Sequence, residues 1–229
     1  MRLDKYLASV SALSRSDAKK AIRVGRVVID GLTETDPRCP VVASSTVSLD
    51  GSVLRSAGKR YIMLNKPKDY VSATKDRGHL TVLQLLDEDN VEQLHIAGRL
   101  DIDTTGLVLI SDDGQWSHRV TSPNSGCKKT YLLEAADPID DDHVERLEQG
   151  MELQGELHAT RPAEVQRCDE HTIRITISEG RYHQLKRMMG ATGNKVDELH
   201  RERIGEIELD PELALGEYRF LTPAEIDSV

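Results

Sequence analysis

The spacing of hydrophobic residues predicts two helices at the start of the chain. Leu3, Leu7 and Val10 recur at helical intervals and indicate the first helix. Ser14 then occupies the position of an N-cap residue, and the pattern after it predicts a second helix over residues 15–24. The first part of the chain is therefore expected to begin as a pair of short helices.

Short strands joined by tight turns are predicted after these helices. Two apolar runs are each followed by an Asp-Gly dipeptide, Asp30-Gly31 and Asp50-Gly51, and such dipeptides are typical of hairpin turns. Two helices followed by small strands predict a compact module over residues 1–57. The polar stretch that ends at residue 60 predicts a linker over residues 58–60.

From residue 61 onward, segments with strand and helix patterns alternate. Strands are predicted over residues 61–64, 107–110, 129–133 and 172–177, and helices over residues 81–86, 140–150 and 181–190. The triplet Asp112-Asp113-Gly114 predicts a hairpin turn. The chain is thus predicted to be α+β. A module of two helices and strands precedes a domain over residues 61–229, built on a mainly antiparallel mixed sheet flanked by helices.

The net charge of −9 conceals a difference between the two regions. Residues 1–60 hold 11 Lys and Arg against 6 Asp and Glu, whereas the rest of the chain holds 19 against 33. In the second predicted helix, Arg15, Lys19 and Arg23 lie four residues apart and share one face. A basic face on a small module indicates a contact with the phosphates of a nucleic acid.

Cysteine usage and hydropathy favour a cytoplasmic protein without membrane contact. The three cysteines are odd in number and far apart, which argues against a disulfide framework and a Cys-rich zinc site. No apolar run approaches the roughly 18 residues of a membrane span. The first 20 residues lack the apolar segment of a secretory signal. No coiled-coil pattern is evident, so we expect a monomer.

The triplet Arg99-Leu100-Asp101 is the first of three candidate sites. It precedes the apolar run at residues 107–110, which would anchor its loop to a buried strand. A carboxylate held beside an Arg can act as a nucleophile on an anionic polymer, although a loop Asp is more often a turn former. Asp103 fits a turn-stabilising role, which disfavours a glycosidase with paired carboxylates.

Tyr131 is the centre of the second candidate site. Strand alternation puts Lys129, Tyr131 and Leu133 on one face. In a chain with 3% aromatic residues, a Tyr beside lysines is a candidate for stacking on a nucleic-acid base. A partly buried structural Tyr is the alternative.

Residues 179–188 form the third candidate site. Gly180 would begin a turn into a predicted helix whose first turns carry Arg181, His183 and Lys186. The cations favour an anionic ligand, and a solvent-exposed cationic face is the alternative. No His or Cys stands at helical ligand spacing from His183, so a metal site is not predicted.

These motifs resemble two known families. Residues 2–7, with residues 14–18 and 25–31, resemble the small RNA-binding domain named after ribosomal protein four of the small subunit, which implies RNA binding through the basic helix. The three candidate sites and Asn65-Lys66-Pro67 have the order and approximate spacing of pseudouridine synthases. Residues 178–188 and 198–205 resemble the members that act on 16S rRNA.

The second resemblance implies isomerisation of a uridine, at position 516 of 16S rRNA, in the free RNA or in a 30S assembly intermediate. It implies that Asp101 is the nucleophile, that Tyr131 stacks on the base and serves in deprotonation, and that Lys186 pairs with the Asp. The residue implied to fill the space of the flipped base is Arg99. Further RNA-binding candidates are Lys129 and Arg181. No atom is gained or lost, so no cofactor or metal is expected.

Three other functions stay open at this point. A pseudouridine synthase acting on 23S rRNA would share the same motifs. A non-catalytic ribosome-associated RNA-binding protein would use the first module but would have no need of Asp101, Tyr131 and Lys186 together. A nucleoside or glycoside hydrolase would release free uracil.

Overall fold

The computed structural model describes residues 1–11, 13–42, 45–54, 58–122 and 125–229. They form two compact units, Met1–Gly58 and Lys59–Val229. Residues 55–57, at the predicted end of the first module, lie outside the described residues. Within the described ranges, no helix is long and apolar enough to cross a bilayer.

The first unit consists of two helices and a four-stranded sheet. Its helices are α1 (Leu3–Val10) and α2 (Arg15–Arg23), and its strands are β1 (Val27–Ile29), β2 (Leu32–Glu34), β3 (Val47–Leu49) and β4 (Ser52–Leu54). The sheet order is β2-β1-β3-β4, and every pair is antiparallel. Ser14 caps α2 by accepting a hydrogen bond from the Asp17 amide.

Both predicted Asp-Gly turns connect strands of this unit. Asp30 and Gly31 have φ values of 49° and 85°, and Asp50 and Gly51 have φ values of 51° and 81°. Positive φ at both central residues is the mark of a type I′ turn, whose twist matches that of the strands it joins. Local turn chemistry is therefore sufficient to set both hairpins.

The second unit carries a larger mixed sheet with helices. Its α-helices are α3 (Gly114–Thr121), α4 (Asp141–Gln149), α5 (Gln184–Thr192) and α6 (Pro223–Asp227), and 3-10 helices cover Val82–Leu85 and Val91–Gln93. Its strands are β5 (Tyr61–Lys66), β6 (Tyr70–Val71), β7 (Leu80–Thr81), β8 (His95–Ala97), β9 (Thr105–Ser111), β10 (Lys129–Ala135), β11 (Glu164–Arg167), β12 (Thr172–Ile177), β13 (Val196–Ile204), β14 (Ile207–Glu208) and β15 (Tyr218–Phe220).

The main sheet runs in the order β11-β12-β10-β13-β9-β5-β15, with β14 beside β13 and β8 beside β9. Its pairs are antiparallel except for β9 with β13, so the predicted α+β fold with a mainly antiparallel mixed sheet is confirmed. The strands β5 and β9 bury both faces, because Met63 and Leu107 face one hydrophobic cluster while Leu64 and Val108 face the other.

Two predicted local structures of this unit are wrong. The helix expected over residues 181–190 begins later, because His183 adopts a left-handed backbone with φ 47° and ψ 38°. The triplet at residues 112–114 is a strand-to-helix junction rather than a hairpin turn. There Asp113 caps α3 by accepting hydrogen bonds from the Gln115 and Trp116 amides. A cap and a hairpin turn use the same residue types, so the local sequence does not separate them.

Part of the predicted linker belongs to the second unit. Lys59 donates a hydrogen bond of 2.9 Å to the Asp112 carbonyl, and Arg60 Nε donates one of 3.0 Å to the Asp112 carboxylate. These bonds secure the chain directly before β5 begins.

Candidate active site

A cleft of about 520 Å³ in the second unit brings residues of all three candidate sites together. Arg99 and Asp101 line it from the loop between β8 and β9, and Tyr131 lines it from β10. His183 and Lys186 line it from the start of α5 and the residue before. Residues far apart in the sequence therefore share one concave surface, the arrangement expected of a ligand site.

A buried lysine donates hydrogen bonds to the loop that carries Asp101. Lys66, at the end of β5, has no solvent exposure, and its ammonium donates hydrogen bonds to the carbonyls of Pro67, Ile102 and Thr104 at 2.9, 3.3 and 2.8 Å. Burial lowers the pKa of Lys66 to about 8, although the nearby carboxylates of Asp103 and Asp101 act in the opposite direction.

Arg201 of β13 holds both ends of the same loop. Its guanidinium is 2% exposed and donates hydrogen bonds to the carbonyls of Gly98 at 2.7 Å, Arg99 at 3.3 Å and Leu107 at 2.8 Å. Gly106, with φ 101°, lies against the Arg201 backbone, where a Cβ atom would overlap the carbonyl oxygen. The glycine thus allows β9 to approach β13 closely.

The Asp101 carboxylate faces the cleft between an imidazole and an ammonium group. Its Oδ1 lies 3.4 Å from His183 Nε2, and its Oδ2 lies 3.4 Å from Lys186 Nζ. One third of the side chain is exposed, which leaves it accessible to a ligand in the cleft. The geometry is that of an oriented carboxylate able to attack an electrophilic carbon.

Asp103 is part of this charge cluster rather than a simple turn residue. Its Oδ1 lies 2.5 Å from Lys186 Nζ, closer than either oxygen of Asp101. Burial raises the pKa of Asp103, but the hydrogen bond and charge of Lys186 outweigh that effect and lower it. Lys186 is therefore shared by two carboxylates.

Tyr131 is buried at the wall of the cleft. It is 8% exposed, and its hydroxyl accepts a hydrogen bond of 3.3 Å from Arg201 Nη1. The guanidinium carbon of Arg201 also lies 5.8 Å from the centre of the Tyr131 ring, within cation–π distance. Arg201 thereby connects Tyr131 to the loop that carries Asp101.

Lys129 and Arg181, the two further predicted RNA contacts, line the cleft and also bond to protein groups. Lys129 is 9% exposed, and its ammonium donates a 2.7 Å hydrogen bond to the Cys127 carbonyl. Burial lowers the pKa of Lys129. The Arg181 guanidinium binds the Glu179 carboxylate and the carbonyls of His158 and Ala159. Their contact with RNA stays a prediction.

Arg99 is exposed at the edge of the cleft, as its predicted role requires. Across the described ranges of the chain, its side chain has neither a hydrogen bond nor an ion pair. A cation without a protein partner at this position is free to contact a ligand.

The three basic residues predicted on α2 belong to a cationic surface of the first unit. Arg15 and Lys19 lie 3.4 and 4.0 Å from the fully buried Asp4 carboxylate, which also accepts hydrogen bonds from Arg2. Burial raises the pKa of Asp4, but its bonds and charge interactions with Arg2 and Arg15 lower it overall. Because one carboxylate faces three cations and Arg23 lies beside them, the surface stays positive.

Sequence reasoning missed three residues that build the cleft. Lys66 was noted only as part of a short motif, Arg201 only as part of residues 198–205, and His183 only as a helix cation. All three act through contacts between distant parts of the chain. A Lys or Arg inside an apolar strand pattern is the one signal that could have indicated the buried pair.

Comparisons with known proteins agree with this arrangement. Residues 60–191 match the family model described as RNA pseudouridylate synthase, and residues 1–47 match the S4 domain. The chain is 52% identical over its full length to "Ribosomal small subunit pseudouridine synthase A" of Vibrio parahaemolyticus, covering 99% of that protein. It is also 52% identical to the Escherichia coli K12 protein of the same name, with both chains covered completely.

A solved structure matches the whole fold. It is described as a pseudouridylate synthase crystal structure and is 44% identical, with a TM-score of 0.72. The match covers 100% of this chain and 99% of that one. The resemblance inferred from the motifs is thereby confirmed. The chain belongs to the RNA pseudouridylate synthase family, and its reaction is the isomerisation of uridine to pseudouridine in RNA.

Proposed function

We propose that this protein isomerises one uridine of 16S small-subunit rRNA, with Asp101 as the nucleophile. The observation that carries the proposal is Asp101 itself, held on a fixed loop between His183 and Lys186 in a cleft that also contains Tyr131. The choice of small-subunit rRNA is supported by relatives named as ribosomal small subunit pseudouridine synthases, which match the chain from end to end. By the family resemblance, the target is position 516, in the free RNA or in a 30S intermediate.

The reaction breaks one bond and forms another without net change in composition. Asp101 attacks the ribose of the target as the bond between C1′ and N1 of uracil breaks. The detached uracil turns, and carbon 5 bonds to C1′ as the bond between Asp101 and C1′ breaks, which releases the carboxylate. The proton on carbon 5 then leaves while N1 ends with a proton. Tyr131 stacks on the base and its hydroxyl serves in that proton removal. Lys186 neutralises and orients the carboxylate, and Arg99 fills the space of the flipped nucleotide.

Mapping of pseudouridine in ribosomal RNA tests the substrate assignment. RNA from cells with and without this protein is treated with a carbodiimide that marks pseudouridine, and the stops of reverse transcription are compared. We expect one site in 16S rRNA to disappear in the absence of the protein. Loss of a 23S site instead would show that the protein acts on large-subunit rRNA. Unchanged pseudouridine sites together with release of free uracil would indicate a hydrolase.

Substitution of Arg15, Lys19 and Arg23 by Gln is expected to weaken RNA binding and its salt dependence together. Each lost phosphate contact lowers the slope of log Kd against log salt concentration by almost one, so the triple variant should lose roughly two to three units of slope. Binding titrations at several salt concentrations measure both quantities.

The matched control replaces Lys20 and Arg26 of the same unit. Each of these cations faces a carboxylate of its own, Asp17 or Asp50, whereas Arg15 and Lys19 share Asp4 with Arg2, so removal of Lys20 and Arg26 should change the slope little. An unchanged slope in the triple variant would remove this surface from RNA recognition.

Tyr131→Phe is expected to keep RNA binding but to block the later proton removal. The ring remains, whereas the hydroxyl proposed to serve at carbon 5 is absent. Release of tritium from RNA labelled at carbon 5 of uridine should fall by about 10²-fold or more. Tyr218→Phe is the control, because it removes a hydroxyl that binds Glu88 instead. Normal tritium release from the Tyr131 variant would mean that another group takes the proton.

A further inference from the structure

Tyr182 is the most exposed of the eight aromatic residues of the chain. Its side chain is 75% exposed, whereas Phe220 is 49% exposed and the six others are buried or partly buried. It nevertheless lines the cleft that contains Asp101. A ring this exposed stabilises the fold little, and its place in the cleft makes it available to a ligand.

The Tyr182 ring lies flat against the imidazole of His183. The two ring centres are 3.8 Å apart and the ring planes differ by 20°. One face of the phenol is thus covered by His183, while the exposure of the residue requires that the other face is open. His183 Nε2 also lies 3.4 Å from the Asp101 carboxylate. His183 therefore contacts both the exposed Tyr182 ring and the reacting Asp101 carboxylate.

The backbone that presents this pair is fixed. His183 is a non-glycine residue in the left-handed region, a conformation that persists only where its surroundings enforce it. Arg187 donates hydrogen bonds to the carbonyls of Tyr182 at 3.2 Å and Gln154 at 2.6 Å. Gln184 accepts a bond from the Arg181 amide and donates one to Glu179. A surface held in this way binds without the entropic cost of ordering it.

The chemistry of the surroundings selects the kind of ligand. Exposed aromatic rings with cations nearby bind unstacked bases of single-stranded nucleic acid, and the stacking tolerates any base because each has a π face. The unpartnered Arg99 lines the same cleft, and Lys186 lies beside Asp101. Extrusion of a target nucleotide also leaves its neighbours without a stacking partner, so a flat ring at the mouth would replace the lost contact.

We propose that the Tyr182–His183 stack is a platform for the base of a nucleotide adjacent to the target uridine. This inference rests on the proposed function, and it adds a subsite distinct from the contact between Tyr131 and the target base. The bound group is one RNA base, held by stacking rather than by reading of its edges.

Fluorescence of 2-aminopurine, which is quenched when the base stacks, tests the platform directly. The full-length protein is titrated with small-subunit rRNA segments that carry 2-aminopurine on the 5′ or the 3′ side of the mapped target. The target itself is 5-fluorouridine, whose carbon 5 has no proton to lose, so the complex accumulates before product release. We expect the wild type to quench one of the two positions.

Tyr182→Leu should abolish this quenching and raise the Kd about tenfold, because it removes the ring on which the base stacks. The variant should stay folded, because the exposed ring contributes little to stability. Tyr182→Phe should retain the quenching, since the hydroxyl takes no part in stacking. The control Phe220→Leu removes the other exposed aromatic ring, which does not line the cleft, and should leave quenching and Kd unchanged.

Two results would overturn the platform. One is a wild-type complex that quenches neither neighbouring position, and the other is a Tyr182→Leu protein that quenches and binds as the wild type does. In both cases pseudouridine formation by the wild type on unlabelled RNA would leave the proposed function standing. Failure of the wild type to modify that RNA would instead count against the proposed function itself.

Discussion

Asp101→Asn is expected to reduce pseudouridine formation by roughly 10³-fold or more while the protein still binds RNA. The amide has the shape of the carboxylate but lacks its charge and its nucleophilic oxygen. The side chains of His183 and Lys186 would lose the carboxylate beside them, whereas the backbone bonds that hold the loop do not involve the Asp101 side chain. We therefore expect loss of the reaction without loss of the fold.

Single-turnover assays of pseudouridine formation and separate binding titrations measure the two effects. Asp103→Asn is the matched control, because it makes the same change of charge in the same cluster and leaves Asp101 intact. It should cost less than about tenfold in rate, since Lys186 then has only Asp101 to neutralise. Near-wild-type turnover by the Asp101 variant would contradict the assignment of Asp101 as the nucleophile. A large loss of rate confined to the Asp103 variant would indicate that Asp103 is the nucleophile instead.

Arg201→Met is expected to lower the free energy of unfolding by about 3–5 kcal/mol and to abolish activity. The variant keeps the length of the side chain but leaves the carbonyls of Gly98, Arg99 and Leu107 without their donor in a buried place. The loop that carries Asp101 then loses one of its two basic supports, and the Tyr131 hydroxyl loses its donor. Of the two buried cations, Lys66 would remain, together with the bonds of Ser72 to Leu100.

Urea unfolding gives the stability, and assays at low temperature, where the variant stays folded, give the activity. Arg203→Met is the control on the same strand. Its side chain is 38% exposed and pairs with Glu206 and Glu208, so its loss should cost under about 1 kcal/mol. Arg201→Lys should restore part of the stability but not the three-carbonyl geometry. Equal stability of the Arg201 and Arg203 variants would contradict the role we assign to the buried guanidinium.

Features set by neighbouring residues could be predicted from the sequence. The Ser14 cap, the two Asp-Gly turns and the alternation of Ile173, Ile175 and Ile177 depend on residues within a few positions of each other. The failures arose where the same local pattern suits two structures. His183 fits a helix start by pattern, and Asp113 fits both a hairpin turn and a cap.

The amino-acid sequence by itself determined the elements, the α+β class and the motifs that identify the family. Only the tertiary structure decided how the motifs work together. It placed His183 next to Asp101 and Lys186 within reach of both Asp101 and Asp103. It also placed Lys66 and Arg201 where they donate hydrogen bonds to the carbonyls of the loop. The physical reason is the separation in sequence of the residues that interact. Capping, turns and periodicity act between near neighbours, whereas a buried cation binds the carbonyls that packing brings to it, and most of those belong to a loop far away in the sequence.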